Sequence, residues 1–236
     1  MNTFNKKINT LRNPRGFTLL ELLIVISIIA VLSVALVLVL NPAETLRKAR
    51  DSQRIADLNT LKTALGIYVT STTTPYLGGN ATNATCKPTP TTIFGTAGTY
   101  KIWYSTSSST PVTDTSLDDG TTVTNGAHAL TVTAFTDGGG WIPVNFDSLT
   151  GGSPISNLPV DPVNTIADLA NVAKGDLVYR YACAASPLTF EIDAQLESVA
   201  FTASDNKRAT DGGNDANLYE VGTSLKILGN SPTVGY

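Results

Sequence analysis

The chain has 236 residues and a formal net charge of −3, and only 15% of its residues are charged. An acidic balance excludes a general nucleic-acid binder. A single histidine, and the lack of P-loop, G-x-S-x-G, H-E-x-x-H and C-x-x-C patterns, leave no motif on which to build catalysis.

Residues 1–16 carry Lys6, Lys7, Arg12 and Arg15 and no acidic residue. Without these four cations the balance is twelve Lys and Arg against nineteen Asp and Glu, a charge of −7. The run Phe17–Leu40 that follows is interrupted only by Thr18, Glu21, Ser27 and Ser33. At about 1.5 Å per residue its helix reaches about 36 Å, enough to cross a bilayer, and the basic leader keeps its own end cytoplasmic. The expected topology is a single pass, N-in. The run is too long for a secretory signal core, and "NPAETLRK" after it has no A-x-A cleavage pattern.

Glu21 is the residue that a plain anchor does not explain, because an acid inside a spanning helix costs about 2.5 kcal/mol at mid-depth. Either it snorkels to the interface, or it pairs with a cation. Cleavage after Gly16 would supply one, the new amine of Phe17, four residues back on the same helix face. Gly16-Phe17-Thr18-Leu19-Leu20-Glu21 ahead of a long aliphatic run resembles the class III leader junction of type IV pilins and of type II secretion pseudopilins. The resemblance implies removal of residues 1–16 by a prepilin peptidase and methylation of Phe17. It also implies helical polymerisation with copies of the same chain, in which Glu21 pairs with a Phe17 amine, driven by an inner-membrane assembly platform and its ATPase.

Residues 41–70 predict a second, amphipathic helix. Asn41 is placed to cap it, Pro42 to open it and to break or kink the helix before it, and Leu46, Ala49, Ile55, Leu58, Leu61, Leu65 and Tyr68 form its stripe. Arg47, Lys48, Arg50 and Arg54 read as a solvated face balanced by Glu44, Asp51 and Asp57.

From residue 71 to 236 the chain turns to Thr, Ser, Gly and Asn, which predicts a β-rich head with a long Thr/Ser-rich insertion over 71–156. The expected fold class is α+β, a long N-terminal helix packed on an antiparallel sheet. Strands are predicted at 100–105, 129–135, 141–146, 177–183, 189–196 and 219–228. In 189–196, Phe190, Ile192, Ala194 and Leu196 make a core face, and Thr189, Glu191, Asp193 and Gln195 a wet one. "NLPVDPVN" at 157–164 and the "YRY" after it resemble the Leu-Pro-x-Asp-Pro turn and Tyr-x-Tyr strand of major pseudopilins; its two prolines force a turn-rich approach to a strand.

Cys86 and Cys183 lie on the exterior side of the predicted topology, where a disulfide persists; the alternative is two buried thiols. His128 reads as a rim residue. Asn80 and Asn83 match glycosylation sequons but read as loop residues. Asp211, Asn214, Asp215, Asn217 and Glu220 crowd a glycine-containing loop with hard oxygens of the type that calcium takes. The same residues also make ordinary Asx turns. Major pseudopilins bind calcium in such a loop near the C-terminus, so the resemblance implies calcium as a possible cofactor. Tyr100, Trp103, Tyr104 and Trp141 fit either a glycan-binding patch or a core.

The function expected is a filament subunit serving adhesion, motility or DNA uptake, carried from the cytoplasmic membrane into an extracellular filament. The alternatives are a pseudopilin of a periplasmic pseudopilus and a membrane-tethered β-domain that binds glycans or surfaces.

Overall fold

The computed structural model describes residues 16–79, 81–92, 94, 100–106, 113–114, 127–128, 134–168, 171–173 and 175–228. The chain divides into two compact units, Met1–Ala43 and Glu44–Tyr236.

The first unit holds α1, Leu19–Leu40. It is apolar on every side, and each described side chain up to Val37 is exposed, with Leu22 at 58% and Ile29 at 56%. Ser27 and Ser33 donate their hydroxyls to the Ile24 and Ile29 carbonyls at 2.8 and 2.7 Å, so neither interrupts the apolar surface with a free donor. Asn41 ends the helix in the left-handed region at φ 37°, which asparagine tolerates better than most residues. Pro42, without an N–H, is the first residue of α2, Pro42–Ser71.

In the second unit, Leu58, Leu61, Ala64, Leu65 and Tyr68 of α2 pack on a sheet of order β3-β1-β5-β6-β7. Its strands are β1 (Ile102–Tyr104), β3 (Ala127–His128), β5 (Tyr179–Ala185), β6 (Leu188–Gln195) and β7 (Leu218–Gly222). Four of them are antiparallel neighbours, and β3 adds to the edge in parallel, setting His128 opposite Trp103. A separate parallel pair joins β2 (Thr113–Asp114) to β4 (Asn171–Val172). Period-two alternation sends Tyr179, Tyr181, Cys183, Phe190, Ile192 and Ala194 toward α2. Burying each large side chain there is worth about 1.5–3 kcal/mol. Cys86 is bonded to Cys183, with sulfurs 2.00 Å apart, and ties the loop after α2 to β5.

Several expectations are corrected. The face of β6 read as wet is dry: Glu191 and Asp193 are fully buried beneath a second core of Phe94, Ile102, Tyr104, Val178, Ala182, Ile227 and Leu228. The head therefore has three layers, helix, sheet and an irregular cover. Residues 141–146 are not a strand; Pro143 has no ladder donor, and Trp141, Ile142, Val144 and Phe146 reach the core from a loop that ends in a short turn at Phe146–Ser148. The last strand stops at Gly222 because the N–H groups of Thr223 and Ser224 both turn to the Phe190 carbonyl, so 223–228 run as bends. Within 129–135, residues 129–133 lie outside the described residues, and Ala134 and Phe135 are not in a strand. Trp103, Tyr104 and Trp141 are 2%, 0% and 0% exposed, so they are core and not a glycan patch. The Trp141 indole instead donates to the Pro159 carbonyl at 2.9 Å.

Candidate functional site

At the leader junction, Gly16, Phe17 and Thr18 are exposed and outside any helix, Thr18 is extended, and the helix begins at Leu19. The Thr18 backbone N–H and hydroxyl both donate to Glu21 Oε2, at 2.8 and 2.9 Å, while Thr18 Oγ1 accepts the Glu21 N–H at 3.2 Å. This is a reciprocal capping box. In the uncleaved chain the carboxylate therefore satisfies its own helix start. The Thr-x-x-Glu spacing of residues 18–21 is the signal that would have found it.

Basic residues of α2 meet the head through a charge cage that the sequence reading missed. Arg54, expected in solvent, is fully buried. Its guanidinium makes two parallel bonds to Asp161, Nε to Oδ2 at 2.6 Å and Nη2 to Oδ1 at 3.0 Å. Its Nη1 reaches Asp51 Oδ1 at 2.8 Å and Glu197 Oε2 at 2.6 Å. Arg50 grips Glu197 with two further bonds at 2.8 and 2.9 Å. Asp51 also accepts the N–H groups of Glu197 and Ser198, so it is held by Arg54 and the chain after β6. Asp161 sits between two prolines and accepts the N–H groups of Val163 and Asn164, which fixes the carboxylate as a rigid receptor.

The electrostatic consequences follow from these contacts. Hydrogen bonds from Arg50 hold the Glu197 carboxyl down to about 2, against the cost of its partial burial. The guanidinium of Arg54 is held above its ordinary value, because bonds and charge from Asp161 outweigh desolvation. Asp57, expected beside Arg54, instead accepts the Tyr179 hydroxyl at 2.9 Å, and burial pushes its carboxyl up. Leu46, expected on the apolar stripe, is 61% exposed; the buried positions on the lower turns of the helix are Asp51 and Arg54.

Three of the calcium candidates, Asp211, Asp215 and Glu220, accept backbone N–H groups of their own loop and strand. Asp211 accepts the N–H groups of Gly213 and Glu220 at 2.9 Å each, Asp215 accepts that of Asn217 at 2.8 Å, and Glu220 accepts that of Asp215 at 2.9 Å. The Asn214 amide satisfies its neighbours with its nitrogen toward Glu220 Oε1 (3.2 Å) and the Leu225 carbonyl (2.8 Å). Asp211 and Asp215 each accept an N–H two residues on, as Asx turns do. Among the described residues no three His, Cys, Asp or Glu converge as a metal set.

Asn83 is likewise committed, its Oδ1 accepting the Leu77 N–H at 2.7 Å and its Nδ2 donating to the Pro75 carbonyl, so it is a loop brace. Asn80 and the side chain of His128 lie outside the described residues.

Residues 11–37 match the prokaryotic N-terminal methylation motif. No curated protein and no solved structure matches the chain.

Proposed function

The chain carries the class III leader of type IV pilins and pseudopilins, a structural and not an enzymatic group, and from that premise we propose that it is a subunit of a type IV pilus-like surface filament. The observation that carries this reading is α1 itself: nineteen residues, Leu19–Val37, apolar but for Glu21 and two serines and exposed among the described residues. Such a surface is untenable in water at about 25 cal/mol per Å². A bilayer covers it before assembly and copies of the same helix cover it afterwards. In this reading a prepilin peptidase cuts between Gly16 and Phe17, the new amine is methylated, and the assembly platform and its ATPase lift the subunit from the cytoplasmic membrane. The leader stays cytoplasmic and the head lies outside.

Once residues 1–16 are gone, Thr18 is the second residue and the Phe17 ammonium stands beside the Glu21 carboxylate that now caps the helix. Helix capping and subunit pairing then draw on the same oxygens.

Mass spectrometry of the purified chain is expected to find an N-methylated Phe17 start, and electron microscopy of sheared cell fractions to find filaments that bind antibody to the head. Processed chain in filaments confined beneath an outer membrane would make it a pseudopilin. An intact leader with no filaments would leave only a tethered domain and defeat the proposal.

A further inference from the structure

Two different kinds of contact hold the two halves of α2 to the head. From Leu58 onward the contact is apolar, with Leu58, Leu61, Ala64, Leu65 and Tyr68 all buried in the core against the sheet. Among the described residues, none of α2 before Leu58 belongs to either apolar core. Leu46 and Ala49 are exposed, and Ile55 is half-buried.

The earlier turns, residues 44–57, meet the head through polar groups. Glu44 Oε1 accepts the Ala200 N–H at 3.2 Å, and the Lys48 ammonium lies 5.7 Å from the centre of the Phe201 ring. Asp51 accepts the Glu197 and Ser198 N–H groups at 3.0 and 2.7 Å. Arg50 and Arg54 bond to Glu197 and Asp161, and Asp57 takes the Tyr179 hydroxyl.

The two kinds of contact differ in what it costs to separate them. Lifting residues 58–68 off the sheet puts apolar area into water, which is unfavourable in proportion to that area. Parting a charge network as a whole returns its charges to water, and hydration offsets most of the attraction that is lost. This network also parts without stranding a group. Arg54 and Asp51 are three residues apart on one helix and leave together. Asp161 keeps the N–H groups of Val163 and Asn164, and the Glu197 side chain, at 16% exposure, already touches solvent. Deleting a single partner is a different operation, because it strips a charge of compensation while the contact is still closed.

We propose that residues 44–57 form a releasable arm, which detaches from the folded head as one unit about a hinge between Asp57 and Leu58 while residues 58–68 stay packed on the sheet. At about 1.5 Å per residue the freed arm is a tether about 21 Å long, gained without loss of the sheet. The N–H groups of Glu197, Ser198 and Ala200 report the release directly, since their acceptors Asp51 and Glu44 sit on the arm. They lose those bonds whether or not the freed arm stays helical.

Amide hydrogen exchange of the full chain in detergent micelles tests the proposal. In the wild type, the Glu197 and Ser198 amides are expected to exchange about a hundredfold faster than the ladder amides of β5 and β6. Their exchange is also expected to depend little on denaturant, because the opening exposes little apolar surface. Asp161→Ala deprives Arg54 of its two-bond partner in the closed state and so favours the open arm. In that variant the Glu197 and Ser198 amides are expected to lose their protection while those of β5 and β6 stay protected. Wild-type Glu197 and Ser198 amides that exchange with the rate and denaturant slope of the ladder would overturn the proposal. So would an Asp161→Ala chain in which they remain as protected as the ladder. If Asp161→Ala fails to fold, the wild-type comparison still decides.

Discussion

Arg54 and Asp161, 107 residues apart in sequence, face each other through two parallel hydrogen bonds of 2.6 and 3.0 Å with both side chains fully buried. The pair pins α2 to the loop that leads into the sheet. Removing one partner of a buried pair leaves the other charge without full compensation, which costs about 3–5 kcal/mol. Asp161→Ala is expected to lower the melting temperature of the head by about 10 °C in circular dichroism, at about 2–4 °C per kcal/mol for a domain of this size. Asp161→Asn, which keeps the shape while Asp51 and Glu197 still face Arg54, is expected to lose less.

The pH dependence of stability has two arms of opposite sign. The Glu197 carboxyl is held near 2, below the ordinary 4.5, so its contribution is present above about pH 4.5 and is lost as pH falls toward 2. Glu220 lies above its ordinary value, and Asp57 and Asp211 are shifted the same way by burial, so their contribution is present at low pH and lost as pH rises. The two windows meet near pH 4.5, where the head is expected to be most stable. Denaturant titrations from pH 2 to 8 check this. Glu197→Gln is expected to flatten the acid arm, removing about 2 kcal/mol of pH-dependent stability, and to leave the alkaline arm as it is.

Glu21 separates a cap from a charge. Glu21→Ala removes both, at a cost of about 1 kcal/mol for the cap and, in an assembly that pairs it with a Phe17 amine, about 3–5 kcal/mol per subunit added. Glu21→Gln retains a capping-box residue and removes only the charge. Both variants are expected to insert normally into the membrane, and Glu21→Gln is expected to yield less than a hundredth of the wild-type filaments in sheared fractions. Wild-type yields from Glu21→Gln would show that capping is the whole role of the carboxylate.

The leader, the apolar span and the alternation of Phe190, Ile192 and Ala194 were legible because each is a local pattern with a fixed period. What lay on the other side of each element was not. Glu191 and Asp193 alternate like a wet face, yet the core that Ile227, Leu228 and Phe94 belong to lies on that side, and no period in β6 announces a cover from so far away. Arg54 reads as a solvated residue because Asp57 follows it three residues on, whereas its main partner lies in a proline-flanked loop more than a hundred residues on. The composition of Trp141, Ile142, Val144 and Phe146 reads as a strand. Burial of apolar side chains needs no ladder, and Pro143 forbids an uninterrupted one.

The bond between Cys86 and Cys183 makes the head a closed covalent ring with two tails. Nearly the whole Thr/Ser-rich insertion lies on the ring. A protease cut anywhere between residues 87 and 182 opens the loop but leaves a single molecule, with α2 still joined to β5 and β6. Only a second cut on the ring, or reduction of the bond, can let a piece depart. In a filament whose subunits are held by their N-terminal helices, that topology would keep a nicked head attached to the shaft, so a cut in the insertion would not by itself shed the part of the subunit beyond it.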